Sequence, residues 1–374
     1  MQTTMAKGKR DGLLIAGGGL AGCLAALAMA KTRPDVPLLL VEESETFGGP
    51  DRTWTFFESD IDPADRWLLE PLITASWPGY YVAFPGQSRN FKAPVHAIGA
   101  ERLDAVMRET LRPDQYRLGT RVVAVRDNEL VLPGGEKLRG EAAVDARGAT
   151  NLSLLDLGWL LCLGRTLRFA APHGLDRPVM IDATLENGAG FFRCLPLSQD
   201  RMLVEYVDHD ATPESALAEA GARIDAYLER RRWIPAEVES EQQAQLPLPL
   251  GGDFNAFWRV GGARVAKLGI RGGFFHPATG AALPDAVGAA ILLAGQPTLD
   301  GAALHDLFEE EAALLWKKRD YYRSYNSQLF ALPREARTGF VERLYRLDLA
   351  VIARFHAARA GLIDRRRISA ALKA

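Results

Sequence analysis

Cysteine is scarce in this chain of 374 residues: only Cys23, Cys162 and Cys194 occur, far apart and each in an apolar setting. Thiols so placed suggest neither a disulfide framework nor a zinc site, and they fit packing groups in a reducing cytoplasm. An excess of one charge is missing as well. With 45 basic against 47 acidic residues the net charge is −2, which argues against a general nucleic-acid binder. Long apolar runs are few: once residues 13–30 are read as a strand and a helix, no remaining stretch suits a bilayer span. Neither a repeat at solenoid spacing nor a low-complexity tract is visible, so order is expected from about residue 10 onward, after a flexible lead over residues 1–10.

What is present is ordinary for a folded soluble protein, 48% hydrophobic and 25% charged residues. The length suits a nucleotide domain intimately joined to a substrate domain. The most informative stretch is Gly17-Gly18-Gly19-Leu20-Ala21-Gly22, which follows the apolar run Leu13-Leu14-Ile15-Ala16 and opens an alanine-rich segment ending near Ala30. In a strand-turn-helix, Gly17 permits the tight turn, Gly19 lets backbone approach a pyrophosphate, and Gly22 allows close helix–strand packing. Unpaired amides at the helix start then face the phosphates.

A secretion signal has a similar outline, because residues 13–30 are uncharged, follow Lys7, Lys9 and Arg10, and end Ala28-Met29-Ala30. Three consecutive glycines would gain such a signal nothing, and Leu38-Leu39-Leu40-Val41-Glu42 follows as a second buried strand. Glu42, twenty residues past Gly22, ends that strand where an acid accepts hydrogen bonds from an adenosine ribose. An unphosphorylated ribose fits FAD and NAD alike.

Farther along, residues 101–111 have the period of an amphipathic helix with Arg102 in its first turn, and residues 120–132 before Pro133-Gly134-Gly135 read as a small hairpin sheet. Residues 142–148 read as a returning strand of the nucleotide sheet. From Leu167 to Val207 strands dominate, as expected for an antiparallel substrate sheet, and a helix is expected over about residues 213–231. Residues 301–374 are mostly helical in pattern, and the cluster Arg365-Arg366-Arg367 suits a solvated helix face better than a membrane patch.

Several segments together resemble the bacterial lycopene beta-cyclases, flavoproteins of carotenoid biosynthesis. They include Trp77-Pro78-Gly79-Tyr80, Val144-Asp145-Ala146-Arg147-Gly148, Met180-Ile181-Asp182-Ala183-Thr184, Phe275-His276-Pro277-Ala278-Thr279-Gly280 and Ile352-Ala353-Arg354-Phe355, and the resemblance runs from Asp11 to Arg367. It implies an α/β fold: a Rossmann-like FAD-binding domain, an antiparallel-sheet substrate domain in the hydroxylase-like flavoprotein arrangement, and a helical C-terminal region. The expected division is residues 11–60, 100–165 and 260–300 for FAD, 61–99 and 166–259 for substrate, and 301–374 for the helices.

The same resemblance implies noncovalent FAD, active when reduced, with NADPH as external reductant. Gly17, Gly19, Leu20, Ala21, Gly22, Glu42, Arg102, Val122, Thr279, Gly280 and Ala281 are the expected cofactor residues. The loop from Pro277 to Ala282 is expected to start a helix beside the isoalloxazine, whose amides would stabilise a reduced flavin. His276, alone beside a proline, reads as a loop-shaping residue.

The implied reaction is a cation-driven isomerisation of an acyclic carotenoid end group to a beta-ionone ring. It requires an acid, an anionic stabiliser and a dry channel. The implied catalytic carboxylate is Glu205, within Leu203-Val204-Glu205-Tyr206-Val207-Asp208, of which only the first acid keeps the family's register. In an apolar channel, desolvation would ease its protonation. Substrate solubility implies peripheral contact with the inner face of the cell membrane.

Other polar positions depart from the family. Asp51-Arg52-Thr53-Trp54 lacks its histidine, Ala278-Thr279-Gly280-Ala281-Ala282 lacks two of its polar side chains, and Gly158-Trp159-Leu160-Leu161-Cys162 replaces a more polar segment. A flavin reductase or monooxygenase of another isoprenoid, or a noncatalytic polyene binder, would use the same scaffold.

Overall fold

A computed structural model describes residues 12–149, 152–185, 190–210, 213–262 and 264–373. The lead expected over residues 1–10 lies outside the described residues. A five-stranded parallel sheet forms the centre of the first layer, in the order Ala266–Lys267, Ala142–Asp145, Leu13–Ala16, Leu38–Val41, Tyr116–Arg117. Its middle strands are short, apolar and fully buried, as parallel strands covered on both faces must be.

The helix Leu20–Thr32 that follows the first strand packs its small residues against the helix Leu283–Ala294, joining the chain's two ends of the nucleotide layer in one core. On the other face sits a three-stranded antiparallel sheet built from Ala124–Arg126, Glu129–Val131 and Lys137–Arg139.

A seven-stranded, mainly antiparallel sheet forms the second layer, in the order Pro235–Gly252, Leu155–Phe169, Arg201–Asp210, Gly190–Pro196, Val179–Asp182, Tyr80–Phe84, Gln87–Phe91. The strand Leu155–Phe169 pairs along its length inside this sheet, so the division expected at residue 165 falls within a strand. Alternation along Arg201–Asp210 separates two environments. Met202, Val204 and Tyr206 pack against Ile224 and Tyr227 of the helix Pro213–Arg231. Leu203, Val207 and His209 face the opposite side, toward the C-terminal helices.

A smaller antiparallel sheet, Thr53–Phe57 with Val95–Gly99 and Ile73–Trp77, bridges the layers. The helix Gly301–Lys318 packs Leu304, Phe308 and Ala312 into the core of the parallel-sheet layer, and the helices Asp320–Ala331, Arg337–Leu344, Leu349–His356 and Leu362–Lys373 cluster beside the seven-stranded sheet. No described helix is long and apolar enough to cross a membrane.

Candidate active site

A cleft of about 660 Å³ opens where the parallel strands end, its floor formed by the residues that directly follow four of them: Gly17, Glu42, Ala146 and Leu268. Ligands of open α/β sheets bind at this edge. Gly17, Gly19, Leu20, Ala21, Glu42 and Val122, expected from sequence, line it. The glycines have distinct reasons to be there. A Cβ on Gly22 would stand 1.9 Å from the Gly17 carbonyl oxygen, whereas one on Gly19 would meet nothing within 4 Å. Gly22 therefore keeps the helix against the turn, and Gly19 leaves open space at the helix start. The Glu42 carboxylate accepts from Gly18 N at 2.5 Å and from Ser44 N at 2.9 Å, which fixes it in the cleft.

Arg102 stands elsewhere: its Nε donates to the Pro71 carbonyl at 2.8 Å, and it is not among the residues lining the cleft. The cations that do line it are Arg52, Arg121, Arg147 and Arg271. Buried Asp145 holds two of them, with Arg147 Nη2 at 2.8 Å and Arg271 Nε at 2.6 Å, and Arg147 Nη1 also donates to the Val122 carbonyl at 2.7 Å. Sequence reading passed over this cluster because Arg271 reaches Asp145 only through the pairing of two parallel strands.

Behind the cleft lies a second cavity, about 300 Å³, walled largely by apolar and aromatic side chains including Trp54, Phe57, Ile181, Phe191, Tyr345 and Phe355. The two spaces share Arg52, Trp54, Ile270 and Ala282. Thr279, Gly280 and Ala281 line the second space, on a loop that runs into the helix Leu283–Ala294. Gly280 is required twice over: its φ is +67°, and a Cβ there would lie 2.5 Å from that of Leu246.

His276 anchors this loop. Its Nδ1 accepts from Ala278 N at 3.0 Å and its Nε2 pairs with the Phe355 carbonyl at 2.8 Å. Burial, helped by the Arg319 charge, brings its pKa down to about 3, so the ring is a neutral loop-shaping group. Asn326 Nδ2 adds hydrogen bonds to the Pro249 and Pro277 carbonyls, at 2.9 and 2.8 Å.

Glu205 is buried on the cavity side of its strand, directly opposite Arg193 of the neighbouring strand. The two side chains form an ion pair, and it is Arg193, with Cys162 and Val207, that lines the cavity in front of the carboxylate. Glu205 thus sits in a buried ion pair rather than in the apolar channel that would ease its protonation. Three further titratable side chains in the cavity wall escaped the sequence reading. Burial brings His209 and His356 down to about 4, and it pushes the Asp60 carboxyl up to about 6 against the opposing pull of the Phe57 N–H and Arg359.

A family model described as "Lycopene cyclase protein" matches residues 12–373. The chain is 35% identical over 359 residues to a lycopene beta-cyclase of Pseudescherichia vulneris, covering 95% of this chain and 92% of the relative. The chain belongs to the lycopene cyclase family. A lycopene beta-cyclase of Pantoea ananas is 33% identical over 362 residues, covering 95% and 93% of the two chains.

Among solved structures, this lycopene cyclase family member matches a geranylgeranyl bacteriochlorophyll reductase-like protein of Thermoplasma acidophilum with a TM-score of 0.63 and 12% identity, covering 97% of this chain and 96% of that one. A flavin-dependent halogenase of Xanthomonas campestris gives 0.63 at 13% identity, covering 98% and 96%. A 2-methyl-3-hydroxypyridine-5-carboxylic acid oxygenase gives 0.62 at 16%, covering 96% and 98%. These likenesses establish the hydroxylase-like flavoprotein fold expected from the sequence, and the fold alone.

Proposed function

We propose that this protein is a lycopene beta-cyclase that closes beta-ionone rings on acyclic carotenoid ends, with FAD in the cleft and the polyene end in the second cavity. The observation that carries the reading is the common wall of Arg52, Trp54, Ile270 and Ala282, where a cofactor entering from the cleft and an apolar substrate entering from the cavity would meet. The residues present fit FAD: Gly17, Gly19 and Gly22 would hold the pyrophosphate, Glu42 the ribose, and Thr279, Gly280 and Ala281 the approach to the ring system. When bound, reduced flavin supplies negative charge that favours a carbocation without net redox change.

Around it the chain's own side chains exclude water, which would trap the cation as an alcohol. Glu205 pairs with Arg193 and so compensates the positive charge that the guanidinium would otherwise present to a cation in the cavity. NADPH is the proposed reductant that primes the flavin. Lipid access is proposed at the inner face of the cell membrane, supported by Leu362 and Ile363, both 75% exposed at the start of the last helix beside exposed Arg366.

Expression in a lycopene-accumulating host tests the reading, with cyclic yellow product expected and persistent red lycopene despite soluble flavoprotein overturning it. Stoichiometric NADPH consumption would point instead to a reductase or monooxygenase. Glu205→Gln leaves the Arg193 charge uncompensated at the cavity wall and is expected to lower cyclised product while flavin content is retained; unchanged product removes Glu205 from the mechanism.

A further inference from the structure

Proton-driven ring closure needs a carboxyl group or similar acid that touches the reacting end. Glu205 already bears the Arg193 guanidinium, and Arg193 stands between it and the cavity. Among the described residues lining the cavity, one carboxyl group occurs, that of Asp60. It follows the strand Thr53–Phe57 in a short 3-10 helix, Glu58–Asp60, and its Oδ2 accepts from Phe57 N at 3.0 Å. Its Oδ1 is buried and has no hydrogen-bond partner among the described residues. A buried, unpaired carboxyl oxygen is costly and calls for an explanation. A proton carried on Oδ1 removes the charge that makes the burial costly, and leaves an acid in the wall of a largely apolar cavity.

We propose that Asp60 is the catalytic acid that starts cyclisation in this protein, a role that rests on the cyclase reading above. The Oδ1–H bond breaks and a C–H bond forms at the terminal trisubstituted double bond, leaving a tertiary cation. The next double bond's electron pair forms the ring C–C bond and moves the charge to a ring carbon. An adjacent C–H bond then breaks, its electron pair makes the ring double bond, and its proton returns to the Asp60 carboxylate. Protons and electrons balance, so the step is an isomerisation. Phe57, Tyr345 and Phe355 line the same cavity and offer aromatic electron density to the cation.

The other titratable side chains are poorly suited to this step. His209 and His356 are held neutral near pH 6, with values of about 4, and burial raises Tyr325 and Tyr345 above the usual phenol range. Around Asp60 itself stand Arg359, whose charge favours the carboxylate, Tyr80 from the substrate sheet, His356 from the C-terminal helices, and the Arg66–Glu58 ion pair of the adjoining segment. Against these, burial pushes the Asp60 value up to about 6, so about half of the molecules carry the proton near pH 6 and roughly a tenth still do at pH 7.

The test is lycopene cyclisation in phospholipid vesicles by the reduced holoprotein, with Asp60→Asn and Asp60→Glu beside the unaltered chain. Expected are a kcat/KM that falls as pH rises through about 6, a loss of about 100-fold or more in Asp60→Asn with flavin and carotenoid binding kept, and recovery of activity in Asp60→Glu. Asparagine activity equal to the unaltered chain's, or a flat pH profile of the unaltered chain, overturns Asp60 as the acid and leaves the cyclase reading standing. Should Asp60→Asn lose its flavin through misfolding, the pH profile of the unaltered chain decides. A chain that makes no ring at any pH sinks the cyclase reading, and the acid's role with it.

Discussion

At Gly22 the sequence motif and the packing meet in a single missing atom. A Cβ there would press 1.9 Å from the Gly17 carbonyl oxygen, and relief would require the first helix to move away from the strand end. Gly22→Ala is therefore expected to abolish flavin retention on purification while much of the secondary structure persists; circular dichroism and the flavin-to-protein ratio measure the two separately. Normal flavin content in the alanine variant would remove Gly22 from the cofactor's support. The glycine spacing was legible because the constraint is local, contained within six consecutive residues. The Arg193–Glu205 pair and the Arg147–Asp145–Arg271 cluster were not, since each depends on strand register between segments that carry no mark of one another in the chain. Asp60 was missed for a related reason: a carboxylate in a Glu-Ser-Asp turn reads as solvated until the helices that bury it are in place.

Among the elements, strands and amphipathic helices with strong periods formed where the pattern put them: Leu13–Ala16, Ala100–Thr110, Pro213–Arg231 and Arg201–Asp210. Periodicity could not say what the C-terminal helices cover. Their apolar faces supply Tyr325, Leu344, Tyr345, Phe355 and His356 to the cavity wall, so a region that reads as an appended bundle completes the proposed substrate site. The last of these helices, Leu362–Lys373, buries Ile368 and Leu372 but exposes Leu362 and Ile363 at its first turn. Exposed apolar groups beside cations suit the surface of an anionic bilayer. Replacing both with serine should weaken flotation with anionic phosphatidylglycerol vesicles and leave the thermal midpoint within a few degrees of the parent's. Equal flotation of parent and variant would place the membrane contact elsewhere.

For the whole molecule, the same enclosure that keeps water from the cavity determines how the protein responds to acid. His209, His276 and His356 are buried neutral, with values of about 4, 3 and 4, below the ordinary histidine value near 6.5. Below that ordinary value the unfolded chain takes up protons that the folded chain refuses, so these groups make stability fall as pH drops from about 6.5 toward 4. Asp60 acts in the opposite sense. Its folded value of about 6 lies above the model carboxyl value of 3.8, so the folded chain binds that proton first and gains stability over the same interval. Three histidines outweigh one carboxyl, and the net loss should be on the order of several kcal/mol by pH 4. Urea midpoints measured from about pH 7 downward should therefore decline; a level or rising midpoint would mean that the three rings are hydrated or partnered in solution. Catalysis by a protonated Asp60 pulls the other way, since activity per folded molecule rises on acidification while the folded fraction becomes harder to keep. The working optimum should then sit close to pH 6, set on its alkaline side by the acid and on its acid side by unfolding. Brief assays, completed before the protein unfolds, should extend the activity to lower pH than prolonged ones.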